Sequence, residues 1–112
     1  MVEVNKVADI PCARITASQL HMYFIPDLKD KLLKAISDEP NFLIIDLSQV
    51  EYLDSSAMGV LFQVQKKMQH YGGALFLVGI NSTIEIVFRL TKSDQHFTIY
   101  ETVEDVIKKI NK

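Results

Sequence analysis

The chain changes hydrophobic period abruptly between Phe42 and His70, and that change constrains what it can fold into more than any other feature. Phe42, Leu43, Ile44 and Ile45 form a short apolar run ending at Asp46, the signature of an internal strand. From Ala57 the apolar residues recur at spacings of three and four, through Val60, Leu61, Val64 and Met68. The segment from about Ser56 to His70 therefore reads as an amphipathic helix. Asp54, Ser55 and Ser56 fall at its start, where backbone N–H groups lack partners and the helix dipole is positive. Asp and Ser are favoured helix caps, so a purely local role is the first reading of these residues. The same position would also hold a phosphate favourably.

The rest of the chain repeats this alternation. Segments near Val2 to Asn5 and near Cys12 to Thr16 read as strands with no helix between them, and so as an antiparallel pair. Pro11 sets the start of the second at an edge or turn. Pro26 sits where a first-turn proline is tolerated, and Leu28, Leu32, Leu33 and Ile36 form the buried stripe of a first helix, which Pro40 keeps from continuing. Strand three covers Phe42 to Leu47. The second helix stops at Tyr71-Gly-Gly73, and a strand over Leu75 to Val78 follows. A helix from about Ser82 to Thr91 carries Ile84, Val87, Phe88 and Leu90, and one more strand and helix finish the chain. Strands alternating with helices of about ten residues predict a largely parallel sheet with right-handed crossovers.

Composition narrows the function classes. With 112 residues, 48% of them hydrophobic, the chain has the size and apolar content of one globular core, expected to span 1–112 as a single domain. The net charge is −2, and the pairs Lys66-Lys67 and Lys108-Lys109 are too short for a nucleic-acid footprint. No direct nucleic-acid partner is expected. The single Cys12 lies in an apolar segment, as a buried free thiol would. The N-terminus lacks the apolar stretch of a signal peptide, and the longest apolar run, Ala74 to Ile80, is far short of a membrane span. These features predict a soluble, cytoplasmic protein with no membrane insertion.

Catalytic patterns are missing. His21, His70 and His96 have no metal-ligand spacing, so no metal is expected. Ser55-Ser-Ala-Met-Gly59 lacks the first glycine of a hydrolase elbow. Gly72-Gly73 enters a strand instead of opening a helix, so no phosphate-cradling loop is present and no cofactor is predicted. The chain reads as a non-enzyme. A receiver domain would need a carboxylate pair after its first strand and a late lysine, where this chain has Ser18-Gln19 and Thr98-Ile-Tyr100. Asp46 is therefore read as a strand-end turn residue.

Leu53-Asp-Ser-Ser-Ala-Met-Gly59, following Ile44-Ile-Asp-Leu-Ser48, resembles the phosphorylation-site segment of STAS-domain proteins, the anti-sigma factor antagonists. Ile25 to Leu33 resembles that family's first helix, and Gly72 to Val78 its fourth strand with the preceding glycine turn. Val87 to Thr91 and Phe97 to Val106 are similar to its closing segments, so the resemblance covers nearly all of the chain from Ala13. It implies a STAS-like α/β fold: a mixed, mostly parallel sheet of about five strands with about four helices, in the order β-β-α-β-α-β-α-β-α. It also implies phosphorylation at Ser56 and a partner-binding surface of Asp54, Ser55, Ser56, Ala57, Met58 and His21. Ser55 is then expected to have the more local role, capping the helix or orienting its neighbour.

The partner implied is an anti-sigma factor with serine kinase activity, bound by the unmodified chain and released by phosphorylation, and the scheme admits a phosphatase as a further partner. Within the same fold the alternative is an accessory subunit of a membrane transport complex or of a stress-sensing assembly. Two positions depart from the family pattern. Ser18-Gln-Leu-His21 stands where the family has Gly-x-Leu-Asp, so His21 replaces a carboxylate near the phosphosite. Ala57 replaces a glycine and should stiffen the helix start, by roughly 1 kcal/mol.

Overall fold

Residues 1–111 are described by a computed structural model. The chain begins with β1 (Val2–Val7), β2 (Ile10–Ile15) and β3 (Gln19–Leu20), followed by a 3-10 turn over Met22–Phe24 and α1 (Ile25–Ala35). Next come β4 (Phe42–Asp46), β5 (Tyr52–Leu53) and α2 (Ser55–His70). The remainder is β6 (Ala74–Val78), α3 (Ser82–Leu90), a 3-10 turn over Ser93–Gln95, β7 (Thr98–Tyr100) and α4 (Val103–Ile110).

The apolar runs make one five-stranded sheet of order β1-β2-β4-β6-β7. β1 and β2 are antiparallel, and their turn residues Ala8 and Asp9 both take positive φ, 52° and 65°, as a tight hairpin with right-handed twist requires. All other pairings in this sheet are parallel. The predicted fold class, antiparallel start and element order are therefore found. Pro11 lies inside β2 and pairs with Lys6, while the ladder to β4 begins one residue later at Cys12. A residue without an N–H is thus kept out of the parallel ladder.

Two short strands were not foreseen. β3 and β5 pair in parallel, Gln19 opposite Tyr52 and Leu20 opposite Leu53, as a separate ribbon beside the sheet. Two residues are too few to show an alternating pattern, yet this ribbon positions the site described below.

The helices cover the two faces of the sheet unequally. α1, α2 and α3 share the larger core, in which Leu28, Leu32, Leu61, Val64, Met68 and Phe88 have no exposed surface. Burying each Leu, Val or Phe in this way contributes roughly 1.5–3 kcal/mol. The other face holds a smaller core of Ile10, Cys12, Ile44, Val78 and Val106, closed by α4. Leu90, expected on the inner face of α3, is instead 80% exposed, because α3 ends there and Thr91 turns the chain away.

α2 ends where Gly72 takes φ +86° and the N–H of Gly73 donates to the carbonyl of Met68 at 2.8 Å. That is the left-handed stop for which glycine is suited. Asp46 is the expected strand-end residue: it is 7% exposed, accepts from the N–H of Ser48 at 2.9 Å, and has Arg14 3.6 Å away. Burial, and then the charge of Asp46, push the Cys12 thiol above its ordinary range, as suits a buried structural cysteine. No helix among the described residues is long and apolar enough to cross a membrane.

Candidate functional site

The site is built at the junction of β5 and α2. The N–H of Asp54 donates to the carbonyl of Leu20 at 3.0 Å, so the β3–β5 ribbon ties Asp54 to the segment that carries His21. Asp54 has extended backbone, φ −98° and ψ −178°, the conformation of a residue just outside a helix. Its Oδ1 accepts from the N–H groups of Ser56 and Ala57, at 3.0 and 3.1 Å, and also from the Ser56 hydroxyl. One carboxylate oxygen thus caps the helix and fixes the Ser56 side chain.

These bonds favour the charged carboxylate. The hydroxyl of Ser56 holds the Asp54 carboxyl below its ordinary value; burial opposes this, and the two backbone N–H groups and the charge of His21 reinforce it. Capping belongs to Asp54 and not to Ser55, which corrects the capping role, one of the two expected of Ser55. Ser55 stands exposed at the first helical position, whereas Ser56 is half-buried beside its carboxylate partner.

The six residues named from sequence do not all reach the surface. Asp54, Ser55, Ser56 and His21 gather at the helix start. Ala57 has no exposed surface and Met58 only 6%, because α2 turns both toward the larger core. Ala57 therefore offers no side chain to a partner, and Met58 offers only the edge that lines a groove. That groove, of about 390 Å³, runs between α2 and α3 from Asp54 and Ser55 past Tyr52, Met58 and Phe62 to Val87. A groove of about 500 Å³ at the β7 edge, beside Glu85, Arg89 and Asp94, includes none of these six residues.

Sequence reading missed an apolar surface beside the site. His21 caps the 3-10 turn: its Nδ1 accepts from the N–H of Tyr23 at 3.4 Å, and its ring lies 5.4 Å from Tyr23 and 4.9 Å from Phe24. Met22 is 68% and Tyr23 83% exposed, with Phe24 and Tyr52 also outside the core. The available signal was Met22-Tyr-Phe-Ile25, an apolar run ahead of Pro26 longer than the start of α1 requires. Large apolar side chains grouped at the surface mark contact sites.

Among the described residues, no group of three or more His, Cys, Asp or Glu is placed to hold a metal ion. What the site can do chemically is offer a fixed hydroxyl, a helix start and an apolar surround.

The model of the STAS domain matches residues 2–106, and the chain belongs to that family. A Thermotoga neapolitana protein, provisionally named an anti-sigma factor antagonist, is 31% identical over 70 residues, 62% of each chain. The chain thus spans less than two thirds of that curated relative. The crystal structure of an anti-sigma factor antagonist from Mycobacterium paratuberculosis superposes with a TM-score of 0.89 at 23% identity, covering 100% of this chain and 94% of that one. The Bacillus cell-fate determinant SpoIIAA in its phosphorylated form gives 0.73 at 16% identity, covering 98% and 99%. At such identities the two solved structures share the fold.

Proposed function

We propose that the chain is an anti-sigma factor antagonist that works by partner switching. In its unmodified form it binds an anti-sigma factor with serine kinase activity, and phosphorylation of Ser56 ends that binding. The observation that carries this reading is the Ser56 hydroxyl, held by Asp54 in the first turn of a helix that has no acidic residue in that turn. The names of the related antagonists, and the phosphorylated state of SpoIIAA, support it.

The physics of the switch is local. A phosphate adds about −1.5 to −2 charges. At the centre of a contact surface it must meet a cation or suffer desolvation and repulsion. The helix start tolerates the same charge, so the fold is retained while the contact is lost. Mass spectrometry after incubation with the partner kinase and ATP tests the assignment. Phosphate on Ser56, and none taken up by Ser56→Ala, is the expected result; phosphate mapped to Ser55 would overturn it.

A further inference from the structure

We propose that the free edge of β1 pairs antiparallel with β1 of a second copy of this chain, about a two-fold axis through Val4, joining two sheets into one. The inference goes beyond the phosphosite reading and does not depend on it.

β1 ends the sheet, and no other strand among the described residues pairs with its outer edge. At the opposite end β7 is only three residues long, as edges that avoid pairing often are. β1 has six residues, no proline and an unbroken register with β2 from Val2 opposite Ile15 to Val7 opposite Ile10, so no bulge turns it away. Every residue from Glu3 to Val7 is exposed, including the apolar side chains of Val4 and Val7.

The hairpin fixes which backbone groups are unpaired. A two-residue turn closes on a pair that exchanges hydrogen bonds, here Val7 and Ile10, and such pairs recur at every second position, at Asn5 with Cys12 and Glu3 with Arg14. Lys6 faces Pro11, which has no N–H to give, and the N–H of Thr16 donates to the carbonyl of Met1; both fit this phase. Val2, Val4 and Lys6 therefore direct their N–H and C=O groups outward.

A second copy must set its own outward residues opposite these, so the two-fold axis passes through a residue and not between two. An axis through Glu3 or Lys6 puts like charges face to face, and one through Val2 or Val7 overlaps only the strand ends. An axis through Asn5 sets both exposed valines against charged residues, Val4 on Lys6 and Val7 on Glu3. An axis through Val4 opposes no like charges: Val4 meets Val4, Val7 meets Met1, and the Asn5 amide can donate to the Glu3 carboxylate. Val2 then faces Lys6, so all three outward residues of each strand find backbone partners. No residue of β1 lines the groove beside Asp54, so the dimer carries two copies of that site, neither built from the shared edge.

The test is analytical ultracentrifugation of the full chain, with amide exchange by NMR on the same samples. As concentration rises toward about 1 mM, the weak end of specific association, the average mass should climb from one chain toward two. Exchange of the Val4 and Lys6 amides should slow by about twofold when half the chains are paired, since only the free fraction exchanges, and that of Asn5 and Val7 much less. Val4→Glu and Val4→Lys, at an exposed position, should each remain monomeric because the axis opposes two like charges, and an equimolar mixture should regain the dimer. A wild-type chain that stays monomeric to that concentration, with Val4 exchange unchanged, would overturn the proposal. So would dimerisation indifferent to both substitutions, or strengthened by Val4→Glu, as the axis through Asn5 would require.

Discussion

The starts of α2 and α4 use opposite electrostatic arrangements. α4 is capped by Thr102, whose hydroxyl accepts from the N–H of Asp105 at 3.1 Å, and Glu104 and Asp105 fill its first turn with negative charge. α1 and α3 likewise carry Asp27 and Glu85 in their first turns. α2 places Ser55, Ser56 and Ala57 there, with the single carboxylate of Asp54 just outside. Acidic side chains stand in the first turn of α4, whereas the first turn of α2 carries none. A helix start that holds back its own charge can take charge as a signal.

The largest expected effect tests that contrast at the partner. Ser56→Asp should weaken binding of the anti-sigma factor by about 2 kcal/mol or more, on the order of thirtyfold, by calorimetry. Its melting temperature should change little by comparison, since the roughly 0.3–1 kcal/mol that a first-turn carboxylate gains from the helix start is opposed by the lost Ser56–Asp54 hydrogen bond and by repulsion from the Asp54 carboxylate. Glu104→Gln, which removes charge from α4, should leave affinity unchanged. Equal losses at the two helices would remove the distinction between them.

Next in size is the difference between the caps. Asp54→Ala removes an acceptor of three hydrogen bonds and should cost about 1–2 kcal/mol in urea denaturation, whereas Thr102→Ala should cost about 0.5–1 kcal/mol. The reverse order would mean that the short helix α4, and not α2, depends on its cap.

Gly59 sharpens the contrast on the outer face of α2. It lies four residues from Ser55, on the same side of the helix, and an added Cβ would meet nothing within 4 Å. Gly59→Ala should therefore stabilise the chain by about 0.5–1 kcal/mol. If a partner lies close against that face, the same variant should bind more weakly; unchanged affinity would place the contact elsewhere.

The smallest effect is a pH dependence confined to α2. The Asp54 carboxyl is depressed in the folded chain, so its contribution is complete above the ordinary Asp value of about 3.9 and is lost as pH falls through the lower folded value. The stability gap between wild type and Asp54→Asn should close on acidification over that range. The gap between wild type and Thr102→Ala should show no such titration, because a hydroxyl does not ionise there.

Much of this was legible before any coordinates. Five strand segments and four helical segments carry the sheet and its helices, because long-range packing follows from patterns that persist for several residues. Asp54 and the residues that follow it were legible as a helix start. The division of labour between Asp54 and Ser55 was not, since both residue types cap helices and only the backbone at Asp54, extended at ψ −178°, decides which one does. The placing of the His21 segment beside Asp54 was expected only through the family resemblance, and no local pattern shows it. It depends on a ribbon of two residues per strand, joining positions more than thirty residues apart, with no periodicity to announce it. Leu90 shows the opposite error: the helical pattern continued, but the core did not.

The inner face of α2, with Ala57, Leu61, Val64 and Met68 wholly enclosed, bears on how long a signal written at Ser56 would last. Switches that store their state as one of two packings exchange by thermal motion within microseconds to seconds, because only non-covalent contacts make the barrier between the forms. A helix anchored along its whole inner side has no second packing to visit. Its record would reside in a phosphoester bond, which does not fade by fluctuation. Such a protein has a memory that only a second chemical reaction, or the making of new chain, can erase.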